Sequence, residues 1–136
     1  MSDVFRTVIL DSEALSQLAN QSSRIVERIE AARRLDYRVI IPGVVVAEVM
    51  NGTTKDALIW RVLKRVPVEP TDTKIAATAG SLRYRAESTR HKKRDLTVDS
   101  IVAATALKFE PAVIVTADKA DMSLLVGSHD VIVDGI

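Results

Sequence analysis

The stretch Val4-Phe5-Arg6-Thr7-Val8-Ile9-Leu10-Asp11-Ser12 decides the fold. It ends in Val8-Ile9-Leu10, a short and nearly continuous apolar run rather than an alternating one. A strand of that kind is covered on both faces, as in a parallel sheet. The run stops at an acid, Asp11, and a helical pattern over Ser12–Ala19 begins at once. Ala112–Val115 and Val131–Val133 have the same character, and Arg38–Ile41 and Val66–Val68 read as weaker strands, bounded by Pro42, Pro67 and Pro70.

Helical patterns fill the gaps. Ile25, Ile29 and Ala32 recur at i, i+4 and i+7, and Ile75, Ala79, Leu82 and Ala86 do the same over a longer span. Val44–Met50 is short and apolar almost all round, and Leu58, Trp60 and Val62 lie in a more basic helix. Thr97 reads as the N-cap of Val98–Phe109, which Pro111 stops. Asp118 opens a last helix that Gly127 ends. Strands alternating with helices predict an α/β domain with a parallel sheet and helices on both faces.

The chain has 136 residues, enough for one domain with a core that buries roughly two-thirds of the unfolded surface. Residues 1–136 are therefore read as a single domain. Nineteen Lys and Arg against 18 Asp and Glu leave a formal charge of +1, which argues against a generally basic nucleic-acid coat or an acidic disordered tail. Without Cys, disulfides, thiol chemistry and Cys-based zinc sites are excluded. His91 and His129 are not at zinc-like spacing. No apolar run approaches the about 20 residues of a spanning helix. Asp3 and Arg6 interrupt any signal-peptide pattern, so the expectation is a cytoplasmic domain with no membrane contact.

In open α/β sheets, ligands bind beyond the carboxyl ends of the strands. Asp11, Asp118 and Asp134 follow three predicted strands there. Each also has a plain structural reading: Asp11 and Asp118 as helix caps, Asp134 as a turn residue. Glu48 stands between Val44-Val45-Val46-Ala47 and Val49-Met50, so it is expected to be buried, where a charge needs a partner Arg or a metal. Asp99 lies two residues after Thr97, where the helix dipole alone would favour an acid by about 0.3–1 kcal/mol. The four acids come from four pieces of chain. Two carboxylates about 4 Å apart repel by roughly 4 kcal/mol at an effective dielectric near 20. A cluster of four needs protons or a cation, and an all-oxygen set suits Mg²⁺ or Mn²⁺. Such ions orient water and stabilise a phosphate undergoing in-line displacement.

Four segments stand out together: Val8-Ile9-Leu10-Asp11-Ser12-Glu13-Ala14-Leu15, Ala47-Glu48-Val49-Met50-Asn51-Gly52, Leu96-Thr97-Val98-Asp99-Ser100 with the helix that follows, and Val115-Thr116-Ala117-Asp118-Lys119-Ala120-Asp121-Met122. In this order they resemble the motifs of PIN domains, most closely the VapC-like toxin–antitoxin ribonucleases. The resemblance implies a three-layer α/β/α sandwich whose five parallel strands run in the order 3-2-1-4-5. It implies Mg²⁺- or Mn²⁺-dependent cleavage of RNA by a metal-activated water. Asp11, Asp99 and Asp118 would hold metal, Glu48 would complete the pocket and position the water, Thr116 would support the site, and Asp121 would be a peripheral acid. It also implies homodimers and a cognate antitoxin, joined in hetero-oligomers, with a basic, apolar C-terminal tail that lies in the toxin groove. Two competing readings are a PIN-fold binding or regulatory module without turnover and a receiver-like phospho-acceptor domain. The second lacks an acceptor Asp in Val66-Pro67-Val68-Glu69-Pro70.

An acidic pocket repels phosphate, so RNA needs nearby cations. Arg83, Arg85, Arg90, Lys92, Lys93 and Arg94 oppose only Glu87 between positions 83 and 94, a net +5 that leaves −4 for the rest of the chain. Arg85, Arg90, Lys92, Lys93 and Arg94 are the expected RNA guides. The competing reading is a solvated helix end and loop. With one Trp, two Tyr and two Phe, a stacking platform is not expected, and Trp60 reads as core or interface.

Overall fold

The computed structural model describes residues 5–89 and 95–136. Twelve elements follow in order: β1 Thr7–Leu10, α1 Ser12–Ala19, α2 Ser23–Arg34, β2 Arg38–Pro42, α3 Gly43–Val49, α4 Asp56–Leu63, β3 Val68–Glu69, α5 Thr73–Thr89, α6 Thr97–Lys108, β4 Ala112–Thr116, α7 Lys119–Val126 and β5 Val131–Gly135. The five strands form one parallel sheet in the order β3-β2-β1-β4-β5, as the family resemblance implied. It is not the 2-1-3-4-5 order of receiver-like folds, so that reading falls.

The chain steps outward from β1 to β2 to β3, then returns past β1 to β4 and β5. Right-handed crossovers put helices from the two directions on opposite faces. The packing follows this division: α1 contacts α2, α3 and α4, and α5, α6 and α7 contact one another, although α3 also reaches α6. Both faces of the central strands are thereby sealed, and Ile9, Leu10, Ile40, Ile41 and Ile114 are fully buried. Thr7 pairs with Ala112 and Leu10 with Val115, so β1 and β4 end side by side where the strand order reverses. Ligands of open sheets gather at such a switch point.

Several sequence expectations need correction. The third strand, β3, is Val68–Glu69, not Val66–Val68: the Val66 N–H is taken by the Val62 carbonyl at 3.0 Å as α4 ends, and Pro67 has no N–H to give. Thr97 is the first residue of α6 rather than its cap, because the Asp95 carboxylate takes its backbone N–H at 2.9 Å. Asp134 lies within β5 and its carboxylate faces Arg28 at 3.6 Å. Trp60 is exposed, not core. Gly127 ends α7 with φ of +57°, a conformation that favours glycine. Among the described residues, no helix is long and apolar enough to cross a membrane.

Candidate active site

Asp11 is the residue after β1 and the N-cap of α1, so its capping role and its place at the switch point coincide. Its Oδ1 accepts the Ala14 N–H at 2.9 Å. Its Oδ2 accepts the Ala117 N–H at 3.1 Å, which ties the end of β1 to the loop after β4. The Thr116 hydroxyl also donates to this carboxylate. Asp11 is only 8 % exposed and Thr116 is fully buried. Burial raises the Asp11 pKa above its ordinary 3.8; the bonds from Thr116, Ala14 and Ala117 oppose the rise, and the charge of Asp118 adds to it. The carboxyl is pushed up on balance.

Asp118 follows β4, and its backbone N–H is held by Thr116 Oγ1 at 2.9 Å. Asp121 lies three residues on, in the first turn of α7 and on the same side of that helix. Asp99 enters from the first turn of α6. The carboxylate oxygens of Asp99, Asp118 and Asp121 lie within 4.8 Å of one another, and all three residues are half-buried. Asp121, expected at the periphery, thus stands in one group with Asp99 and Asp118 among the described residues.

Glu48 differs from expectation. It is exposed, because the seven-residue α3 buries only Val45 fully and turns Ala47 and Glu48 outward. Its partner is a hydroxyl rather than an Arg: Ser12 Oγ donates to Glu48 Oε1. Ser12 directly follows Asp11, so this bond brings Glu48 to the edge of the acid group. The hydroxyl was not singled out from the sequence, although a Ser directly after a strand-end Asp was the available signal. Gly52 has φ of +78° in the turn after α3, with open space around it. Asp56, buried, closes this turn by accepting the N–H groups of Gly52 at 2.8 Å and Asn51 at 3.2 Å.

The donor set is all carboxylate oxygen, drawn from separate elements and partly screened from water. Such a set fits a hard divalent cation such as Mg²⁺ or Mn²⁺, which would offset the mutual repulsion of the acids. It does not fit zinc, which takes nitrogen and sulfur as well.

A PIN domain family model matches residues 8–123. The chain belongs to the PIN domain family. This PIN domain is similar to the structure of FitAB bound to an IR36 DNA fragment, with 23 % identity, TM-score 0.68, and coverage of 95 % of this chain and 94 % of that one. It is similar to FitAcB from Neisseria gonorrhoeae, with 22 % identity, TM-score 0.66, and coverage of 94 % and 96 %. VapBC2 from Rickettsia felis, bound to a DNA fragment from its promoter, gives 16 % identity, TM-score 0.68, and coverage of 96 % and 98 %. These likenesses establish the fold. No curated protein matches the chain significantly.

Of the basic residues expected to guide RNA, Arg85 is exposed on α5. Arg90, Lys92, Lys93 and Arg94 lie outside the described residues. Arg83 is half-buried, and its guanidinium donates to Thr97 Oγ1 at 3.2 Å. A separate groove of about 660 Å³ runs between α1, α2 and α4. Its walls include Leu18, Val26, Ile29, Leu58 and Val62, with Arg33, Arg61 and Arg65 at hand against one Glu30. None of the site acids lines it.

Proposed function

We propose that this PIN domain is a divalent-metal-dependent endoribonuclease, the toxin component of a type II toxin–antitoxin module, and that residues 1–136 act as one domain in the cytoplasm. The observation that carries the reading is the gathering of Asp99, Asp118 and Asp121 within 4.8 Å beside the β1–β4 switch point. Asp99, Asp118 and Asp121, with Asp11 directly or through water, would hold Mg²⁺ or Mn²⁺. A cation bound there acidifies the attacking water and stabilises the charge on the phosphate. Glu48, one oxygen of which Ser12 holds, would position the attacking water. Thr116 sets the distance between Asp11 and the Asp118 backbone. Arg85, Arg90, Lys92, Lys93 and Arg94 offset the acids and draw in the RNA backbone.

The family resemblance supports a cognate antitoxin and a homodimer. The groove between α1, α2 and α4 suits the antitoxin segment: its apolar walls take a helix face, and Arg33, Arg61 and Arg65 select acids along the edge of that face. The tail expected from sequence was basic, which suits the acid pocket but not this groove. The occupant of the groove is therefore a different, acidic part of the same partner.

Incubation of the purified protein with total RNA, with Mg²⁺, Mn²⁺ or EDTA and with end mapping of the products, tests the reading. Cleavage is expected with either metal, none with EDTA, and none by Asp99→Asn, whose fold should be intact. Cleavage that survives EDTA or Asp99→Asn, or no cleavage at all, overturns it.

A further inference from the structure

We infer that Arg83 is a positioning residue that sets the placement of Asp99 through Thr97 and Asp95. Leu96, at the N-cap of α6, makes no side-chain cap bond. The first turn that carries Asp99 is instead fixed from outside. The Asp95 carboxylate accepts the Thr97 N–H at 2.9 Å and the Thr97 O–H at 2.6 Å. With its proton given to Asp95, Thr97 Oγ1 still has lone pairs, and Arg83 donates to them at 3.2 Å. Arg83 stands on α5, a 17-residue helix anchored through buried Ile75, Ala79, Leu82 and Ala86. The relay therefore ties the start of α6 to a rigid neighbour, two residues before Asp99. Ser100 completes it by donating its hydroxyl to the Thr97 carbonyl at 2.7 Å.

A cation so placed is not free for RNA, so Arg83, unlike the five expected guides, acts on the acids. Its effect passes through geometry. The groups that orient metal ligands are commonly worth about 10-fold or more in metal affinity.

The inference rests on the reading of Asp99 as a metal ligand, and a direct binding measurement separates the two. Mn²⁺ binding to the full-length protein is followed by the electron paramagnetic resonance of free Mn²⁺, with metal-free Tm recorded alongside. Arg83→Met and Thr97→Val should each weaken Mn²⁺ binding by about 10-fold. The double variant should be little worse than either single one, because the three groups act in series. Thr97→Ser, which keeps the hydroxyl, should restore binding. Removal of a positive charge near the acids would by itself tighten Mn²⁺ binding, so the sign separates positioning from simple electrostatics. Unchanged or tighter binding in Arg83→Met, or a lower Tm alone, overturns the inference while the proposed activity stands. Failure of the unmodified protein to bind Mn²⁺ overturns the proposed activity as well.

Discussion

Thr116 Oγ1 accepts the backbone N–H of Asp118 at 2.9 Å while its own proton goes to Asp11. One buried hydroxyl thereby spans the two strand ends at the switch point, and each of its bonds supports an acid of the site. Thr116→Val keeps the shape and removes both bonds. The Asp118 N–H would lose its acceptor, which costs about 1–3 kcal/mol when buried, and Asp11 would lose a bond that holds its pKa down. A lower Tm and weaker divalent binding are expected, with both recovered in Thr116→Ser. Thermal melts and a Mn²⁺ titration of the two variants check this, and equal behaviour of Val and Ser would contradict it.

The raised pKa of Asp11 makes a signed prediction for the metal-free protein. The folded state binds this proton more tightly than the unfolded state does. The resulting stabilisation is complete below the ordinary value of 3.8 and is lost as pH rises through the raised folded value. Denaturant unfolding in EDTA, from about pH 4 upward, should therefore show the stability of the native sequence falling relative to Asp11→Asn across that window. With divalent cation present the trend should reverse, because the cation favours the carboxylate. A flat difference in EDTA would mean that Asp11 is not perturbed.

The gathering of Asp99, Asp118 and Asp121 predicts a stability linkage to metal. A ligand that binds only the folded state adds about 2.7 kcal/mol at 100 times its Kd. Melts with increasing Mn²⁺ should rise accordingly for the native sequence. Asp99→Asn, Asp118→Asn and Asp121→Asn should each lose most of the metal-induced gain. A full gain in Asp121→Asn would return that residue to the periphery, where the sequence reading had put it.

The strands were legible because a parallel strand sealed on both faces has to be short and apolar, as Val8-Ile9-Leu10 and Ala112–Val115 are. Strand order came from the family motifs, since no periodicity encodes which strand lies beside which. Asp11, Asp99 and Asp118 were legible as acids at strand ends or helix starts. Glu48 was read as buried because its neighbours are apolar. That inference fails for a seven-residue helix at the end of a sheet, which has too few neighbours to cover every side. The groove was not legible at all. Ile29 read as part of an apolar helix face and Leu58 and Val62 as part of a basic helix, and no periodicity encodes how far apart α1, α2 and α4 pack.

The basic residues from Arg85 to Arg94 predict a salt dependence of RNA binding. Each phosphate contact on a single strand contributes about −0.7 to the slope of log K against log salt. Arg85→Ala with Lys92→Ala and Lys93→Ala should flatten that slope by about 2 if all three touch phosphate. Filter binding of a catalytically dead Asp99→Asn background at several salt concentrations measures it. An unchanged slope assigns these residues to the solvated surface instead.

The groove allows the partner and the chemistry to be separated. Leu18 and Ala19, in the last turn of α1, line it, whereas Asp11 caps the first turn of the same helix. Eight residues at about 1.5 Å each put the two some 12 Å apart. Arg61→Glu with Arg65→Glu reverses the charge along one wall without touching the acids. An acidic partner segment would then meet like charge in place of opposite charge, and rim charges act chiefly on association rate and its salt dependence. Co-expression with the cognate antitoxin should give a complex with the native chain and little or none with the double variant, while metal-dependent RNA cleavage by the isolated variant persists. Val62→Asp, an apolar-wall change, should act in the same direction. Retention of the complex by both variants would move the antitoxin to another face of the fold, and loss of cleavage along with the complex would show that groove and acid site are coupled.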